Sequence, residues 1–591
     1  MAPGELPTNA RIAERLQLIG DLLEMEGAVR HRVLAYRRAA ARIRSTPESV
    51  ARMAMEGRAT DLPDIGSTLQ AKIRELCETG DIAALAKLRE RIPEGVAAIA
   101  HLEGIGPKRA MALWGELGVR DLDELAAAVV DGRVAGLPGF GPATQARIAE
   151  QLLRRAERGD APERTPLGVA LPLAEDVAAA LRAVVPGARV EIAGSLRRGR
   201  ESARDIDLVG TAARPADLLD ALVALPATES VLSRGGVRAA IATHAGPRVE
   251  LAVGPRESFG NLLQHATGSA AHNVRLRELA VGRGLSVSEH GVAGPDGVAV
   301  HEDEDGVYAA LGLHPIPPEL REDEGEIDAA LAGPLPALIT RGDLRGELHA
   351  HTTWSDGTES VAAMVEAARA RGYRYLAISD HSQSLAMAGG LDRDRVHRQW
   401  EEIAEVGARH GDITVLRATE VDILADGRLD FDDELLAGFD WVTASMHSAL
   451  TQDAARITAR VEAAIASPFV DTIGHPTGRM LGRRDAAPVD IDRVAAAAAA
   501  TGTFLEVNGQ PRRLDLDSTM ARRALVAGAR ITIGADAHSG AALDLVRFGV
   551  LVARRAGARP EDVGNAWDWP TLAATRARRL AAAGVRPADY P

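Results

Sequence analysis

The sequence predicts a multidomain chain: an all-α N-terminal region, an α/β middle, and a distorted parallel (β/α)7 barrel in its C-terminal half. Three observations carry that expectation. Residues 1 to about 150 are rich in Ala, Leu, Glu and Arg, with short Gly-Pro turns and no strand run. Further on, Asp205-Ile206-Asp207-Leu208 reads as a short strand, whose period of two puts both carboxylates on one face and Ile206 and Leu208 in the core. From Leu344 onward strand and helix signals alternate, and seven apolar strand candidates end in polar residues.

A length of 591 residues sets a prior of about four domains. Hydrophobic content of 46% with 26% charged residues is ordinary for a soluble globular chain. Met1 to Ala10 lack the basic start and apolar run of a signal peptide, and no stretch approaches the ~20 apolar residues of a membrane span, so a cytoplasmic protein is expected. Cys77 is the only cysteine, which excludes an internal disulfide and a thiolate metal cluster; any metal must be held by His, Asp and Glu. The net charge of −14 weighs only weakly against nucleic acid, because carboxylates gathered around cations distort the average.

In the helical region three turns repeat a pattern at unequal spacing: Leu62-Pro63-Asp64-Ile65-Gly66, Leu102-Glu103-Gly104-Ile105-Gly106 and Leu137-Pro138-Gly139-Phe140-Gly141. Each opens a helix, so free N–H groups around Gly66, Gly104, Gly106, Gly139 and Gly141, with Lys108 beside them, can grip a backbone phosphate without reading sequence. A tight link in a helical bundle is the plain alternative for any one copy. The segments resemble helix-hairpin-helix elements; Asp64 stands where the other two copies have glycine. Only Lys72, Lys87 and Lys108 are lysines among 69 basic residues, and arginine cannot serve as an amine nucleophile.

A polar stretch marked by Gly159, Pro162, Pro166 and Gly168, from about Arg154 to Leu171, reads as a linker. Beyond it come a helix over Val177 to Val185, a strand over Val190 to Ala193, and the stretch Gly194-Ser195-Leu196-Arg197-Arg198-Gly199-Arg200 leading to Asp205 and Asp207. Two carboxylates on one face can hold a pair of divalent ions about 3.5–4 Å apart, the arrangement that serves phosphoryl transfer. A lone Asp-x-Asp is usually a solvated strand face, but the Gly-Ser-x-Arg-Arg-Gly block upstream adds phosphate-seeking N–H groups and fixed positive charge.

The combination resembles the nucleotidyltransferase palm of the family X DNA polymerases. The resemblance implies that Asp205 and Asp207 hold two Mg²⁺ or Mn²⁺ ions and that Gly194, Ser195 and Arg198 hold a triphosphate. The family's third carboxylate is an aspartate; here strand Arg248 to Val253 supplies Glu250, and strand Arg238 to Thr243 is expected beside it. One extra methylene moves a carboxylate by roughly 1 Å, which can cost on the order of a hundredfold in rate. Thr267-Gly268-Ser269 with Asn273 and Arg277 resembles the nucleotide-binding segment, Asn273 toward the incoming nucleotide and Arg277 toward the template. His265 and Ala266 replace two aromatic residues that shape sugar discrimination, so weakened exclusion of ribonucleotides is expected. Lys72 matches the family's lysine that attacks an abasic sugar through an imine; a phosphate-contacting or surface lysine is the alternative.

The seven C-terminal strand ends are Glu347-Leu348-His349-Ala350-His351, Ile378-Ser379-Asp380-His381, Ala418-Thr419-Glu420, Ser445-Met446-His447, Ile473-Gly474-His475, Glu506-Val507-Asn508 and Gly534-Ala535-Asp536-Ala537-His538. Polar residues at the C-terminal ends of barrel strands are where such barrels build their sites. Nitrogen and oxygen donors without sulfur suit Zn²⁺, Mn²⁺ or Fe. This half resembles the polymerase and histidinol phosphatase (PHP) domain. The resemblance implies nine ligands, His349, His351, Asp356, His381, Glu420, His447, His475, Asp536 and His538, around three divalent ions, with Glu420 as bridge. Glu347 replaces an aspartate common in that family and is not a ligand.

Taken together, the chain resembles the bacterial family X DNA polymerases with a C-terminal PHP domain. The expected division is a lyase-like helical domain over residues 1–85, helix-hairpin-helix fingers over 86–160, a palm over 165–255, a thumb over 256–323, a linker with one short helix over 324–342 and a PHP barrel over 343–591. The resemblance implies a monomer that fills short gaps in base excision repair from deoxynucleoside triphosphates on gapped or nicked DNA, the barrel trimming 3′ ends as a 3′–5′ exonuclease. Action at abasic sites or 3′ phosphates stays open. The second reading is a DNA-binding platform with an impaired palm, which Glu250, His265 and Ala266 favour. A small-molecule phosphatase is a third.

Overall fold

The computed structural model describes residues 6–102, 104–158 and 164–585. Among them, residues up to 158 form nine α-helices, from Asn9–Met25 to Pro142–Arg158, with no strand. Amphipathic spacing explains their packing: Ile12, Leu16, Ile19 and Leu22 of the first helix fall on one stripe and are buried in a core that also takes Ile73, Leu113 and Phe140. The three repeated turns share one backbone device. Asp64, Gly104 and Gly139 have φ of 69°, 79° and 84°, and each leads three residues later into a helix start at Ser67, Pro107 or Pro142. Asp64 thus takes the left-handed conformation that its two counterparts leave to glycine, one of the few non-glycine residues able to do so at modest cost.

The expected linker from Arg154 to Leu171 is largely helical where it is described. The helix Pro142–Arg158 runs into it, Gly159 and Pro162 lie outside the described residues, and a new helix, Leu167–Val184, begins inside it. Pro166 is the N-cap of that second helix. Gly168 is tolerated in the first turn because a side chain there would collide with the Pro511 ring of the C-terminal half.

The middle of the chain holds a five-stranded sheet in the order Arg189–Ile192, Asp205–Thr211, Arg248–Val253, Arg238–Thr243, Thr228–Arg234. Only Asp205–Thr211 and Arg248–Val253 run parallel. Along Asp205–Thr211, Ile206 and Leu208 are buried while Asp205 and Asp207 look the other way. Helices Phe259–Thr267 and Ala270–Gly282, a three-stranded sheet over Ser286–Ala299 and helix Glu304–Ala310 follow. The first part of the stretch expected as a linker after Asp323 packs into this unit, while Ile339 further on is buried in the core that includes the C-terminal half. Helix Glu326–Ala332 of that first part buries Ile327 and Ala330 in the same core as Val307, Tyr308 and Leu311.

The C-terminal half is a seven-stranded parallel sheet whose spatial order is its sequence order, from Gly346–Ala350 to Ile531–Gly534. Near-continuous burial of every strand fits a parallel sheet covered by helices. First and last strands meet at their C-terminal ends, where His351 N donates to Ala537 O (2.8 Å) and Ala537 N donates to His349 O (3.1 Å). The sheet is therefore nearly closed, and its seven strand ends converge.

Candidate metal centres

In the middle sheet, strand register sets Asp207 directly opposite Glu250, with Asp205 two residues away on the same face. The turn before it fits against them. Gly194 has φ of 59°, and a side chain there would collide with Asp207 Oδ2. Burial, then the charges of Asp205 and Glu250, push the Asp207 carboxyl up to about 7. Three carboxylates crowded at this cost, against backbone that leaves no room for a Cβ, make a donor set suited to divalent cations. Glu250 forms an ion pair with Arg248 of its own strand, so its longer side chain leans along the strand face.

The other residues expected to meet a nucleotide gather beside that turn. Arg198 donates to Thr267 O and pairs with Glu322 at 3.1 Å, and a Cβ on Gly268 would stand 3.2 Å from Arg198 Nη1. Ser195 lies in the one-turn helix Gly194–Arg197. Asn273 is buried and held at both ends of its amide, accepting from Gln264 Nε2 (2.9 Å) and donating to His265 O (2.8 Å). Arg277 Nε donates to Asn273 O at 3.1 Å. Sequence reasoning missed what fastens this group. Arg197 donates to Thr267 Oγ1 (2.7 Å) and to Glu304 Oε1 (2.8 Å), and Glu304 also pairs with the buried Arg321. No local pattern could have signalled these partners, which lie 70 to 107 residues away from Arg197.

In the helical region, Gly66, Gly104, Gly106, Gly139, Gly141 and Lys108 are all exposed, and Gly66 and Gly106 are N-caps without a side-chain cap, so their helix-opening N–H groups face solvent. Lys72 is half-buried on helix Ser67–Thr79.

The barrel brings all nine expected ligands to one place. Glu420 sits at the centre: its oxygens lie 2.8 Å from His381 Nδ1 and His475 Nε2, 3.4 Å from His447 Nε2, 3.5 Å from His349 Nε2 and 3.7 Å from His351 Nε2. Asp536 approaches His351 at 3.3 Å, and Asp356 approaches His538 at 3.2 Å and His381 at 3.5 Å. Three overlapping groups could each hold a cation: His351, Asp356, His381 and His538; His349, His351 and Asp536; His381, Glu420 and His447. The fit to metal rests on orphaned donors. His349 Nε2, both ring nitrogens of His351, His381 Nδ1 and both oxygens of Glu420 are buried without a hydrogen-bond partner. Buried lone pairs that converge without aligned N–H groups are what a cation would satisfy.

The electrostatics agree. Burial works against ionisation of Glu420, yet the surrounding His447, His349 and His381 hold it well below the usual carboxylate range. Burial, then the neighbouring His538 and His381, drive His351 down to about 3, leaving it a neutral imidazole fit to coordinate. Burial opposes protonation of His447, but Glu420 and Asp422 carry it up to about 9.

Several supporting residues escaped the sequence reading. Glu506 faces His349 Nδ1 at 2.7 Å and accepts from His475 N (2.7 Å), and Asp422 faces His447 Nδ1 at 2.7 Å, so each fixes the ring that turns its other nitrogen to Glu420. Asp380 accepts from Thr352 N and Thr352 Oγ1 and from Gln399, locking the loop behind His351. The signal for Asp422 was available: it stands two residues after Glu420 on the same strand face. Glu347 accepts from Leu348 N and His349 N and from Ala535 N of the last strand, which pins the barrel closure.

Known proteins fall into line with these units. Residues 7–82 match the family described as helix-hairpin-helix domain, 96–153 the SAM-like helix-hairpin-helix tandem, 262–322 the DNA polymerase beta thumb and 347–510 the PHP domain. The DNA polymerase/3′-5′ exonuclease PolX of Bacillus subtilis (strain 168) is 36% identical over 559 residues, covering 94% of this chain and 97% of that protein. The chain belongs to the PolX family. DNA polymerase lambda of Rattus norvegicus is 25% identical over 332 residues, 53% of either protein. A probable phosphatase of Caldanaerobacter subterraneus subsp. tengcongensis is 29% identical over 211 residues, 34% of this chain and 78% of its own length. The PolX assignment accounts for the order of helix-hairpin-helix elements, thumb and PHP barrel. Among the described residues no helix is long and apolar enough to cross a membrane.

Proposed function

We propose that this PolX chain is a DNA-directed DNA polymerase that fills short gaps during base excision repair, and that its PHP barrel removes nucleotides from 3′ ends as a 3′–5′ exonuclease. Its substrates are gapped or nicked DNA and deoxynucleoside triphosphates, and it acts as a monomer in the cytoplasm. The observation that carries the reading is the presence, in one chain, of two separate donor sets suited to cations, one packed against the glycine turn at Gly194 and one at the mouth of a barrel. The B. subtilis relative, named for both activities, covers 94% of the chain, which leaves the platform reading without support beyond Glu250, His265 and Ala266.

In the palm, Asp205, Asp207 and Glu250 would hold two Mg²⁺ or Mn²⁺ ions. Gly194, Ser195 and Arg198 bind and orient the triphosphate, Asn273 faces the incoming nucleotide and Arg277 the template. In the barrel, the nine histidines and carboxylates, gathered around Glu420, would hold three ions, Zn²⁺, Mn²⁺ or Fe. When bound, such ions supply Lewis acidity for the charge that builds on phosphate and make water a better nucleophile at neutral pH. Glu506 and Asp422 hold the rings of His349 and His447 in the tautomer that keeps Nε2 free. The exposed turns at Gly66, Gly104, Gly106, Gly139 and Gly141, with Lys108, hold duplex backbone, and Lys72 is the amine for attack on an abasic sugar or, in the alternative, a phosphate-contacting lysine.

Single-nucleotide gap filling with Mg²⁺ and then Mn²⁺, comparing the natural chain with Glu250→Asp, tests the polymerase. Extension by both chains is the expected outcome. If neither extends, or only the aspartate form does, the natural chain is not an efficient polymerase. Loss of 3′-end hydrolysis on Glu420→Ala, with gap filling retained, is expected for the barrel.

A further inference from the structure

Arg513 lies just outside the ligand set, on the loop that follows the sixth barrel strand. Its Nε stands 3.4 Å from Asp536 Oδ2, the oxygen that does not face His351. Its Nη1 is buried and has no hydrogen-bond partner. A guanidinium is a rigid fork of donors, and leaving one of them buried and unmatched is unfavourable unless something else accepts from it. What Nη1 lacks is an acceptor, and a non-bridging oxygen of a phosphodiester held at the adjoining centre would supply one.

The loop is not free to choose this position. Arg479, on the neighbouring loop after His475, donates from Nε to Arg513 O (2.8 Å) and from Nη2 to Leu514 O, and Leu481 N donates to Arg512 O (2.6 Å). The same Arg479 guanidinium forms an ion pair with Glu201 of the palm, in the turn between Arg198 and Asp205. A strut thus runs from the palm turn through Glu201 and Arg479 to the backbone that carries Arg513.

We propose that Arg513 is a substrate-gripping residue of the PHP centre, donating to a non-bridging oxygen of the scissile phosphate, and that Glu201 and Arg479 are positioning residues that hold it there from the palm. This rests on reading the barrel as a phosphoesterase that acts on DNA ends. The polymerase half then does more than deliver DNA: it sets the geometry of the hydrolytic site.

The test uses the full chain loaded with Mn²⁺ and measures bound metal, calorimetric affinity for inorganic phosphate, and KM and kcat on a single-stranded 3′ end. For Arg513→Gln, metal content unchanged, phosphate affinity reduced roughly tenfold or more, and KM raised by a similar factor are expected, because a charged hydrogen bond to phosphate is lost. Arg513→Lys, which keeps the charge without the fork, should fall between the two. In a double-mutant cycle, Glu201→Gln should weaken phosphate binding in the natural background and have little further effect on Arg513→Gln. Unchanged phosphate affinity, loss of metal, or additive effects in the cycle would each overturn the proposal. A chain that binds phosphate through Arg513 yet leaves DNA ends intact would instead count against the exonuclease reading alone.

Discussion

At Gly194 a single hydrogen atom in place of a side chain leaves room for the Asp207 carboxylate. A methyl group there would collide with Asp207 Oδ2, and the positive φ adds backbone strain for any L-residue. Gly194→Ala is therefore expected to lower gap filling by about a hundredfold, the scale of an ångström-sized displacement of a reacting group, while 3′-end hydrolysis persists. Primer-extension and end-hydrolysis assays on the same preparation check it. Asp207 itself carries a stability cost. Its carboxyl is raised from 3.8 to about 7, so the folded state holds more protons than the unfolded state across that window, and the metal-free chain loses stability as pH rises through it. Asp207→Asn should raise the melting temperature of the metal-free chain by a few degrees above neutral pH, with the difference shrinking as pH falls below about 7 and the natural carboxyl becomes protonated. Added Mg²⁺ should stabilise the natural chain but not the variant; thermal melts with and without metal read both effects.

Among the elements, the three helix-opening turns show how one backbone shape is written in two residue types. Asp64 and its counterparts Gly104 and Gly139 occupy the same left-handed region. Asp64→Gly is expected to leave folding and DNA binding nearly unchanged, whereas Gly139→Ala should cost about 1–2 kcal/mol and weaken binding to gapped DNA. Chemical denaturation and a binding titration separate the two. The same elements show where sequence is legible. Strand period placed Asp205 and Asp207 together, because both lie within one strand; spacing also paired Asp536 with His538, but those two follow the seventh strand, and Asp536 has a φ of 49°, so it is the loop and not the strand period that brings them to the site. Glu506 beside His349, Arg479 beside Glu201 and Glu304 beside Arg197 were not readable, since their partners are 157, 278 and 107 residues apart and no periodicity links them. The first half of the helix Leu167–Val184, ahead of the predicted start at Val177, was hidden for a different reason: Pro166 and Gly168 carry loop signals that tertiary packing overrides.

Across the whole molecule, the palm and the barrel share one continuous hydrophobic core that runs from Leu167 to Val563, while the helical region has its own from Ile12 to Ile148. Ion pairs tie the larger body together, Arg554 to Glu319 at 2.6 Å and Arg547 to Glu175 at 2.9 Å among them. Scanning calorimetry should therefore show two transitions, with only the one belonging to the palm–barrel body moving upward when Mn²⁺ is supplied. A single transition that shifts as a unit would contradict this division. The barrel's ligands come from successive strand ends, and the last two, Asp536 and His538, follow the seventh strand, Ile531–Gly534. A nascent chain emerging from the ribosome accordingly cannot assemble the full hydrolytic centre until that final segment is synthesised and docks against the first strand. Until then the nuclease is silent, and a product cut short by premature termination before Asp536 would be released without a complete one.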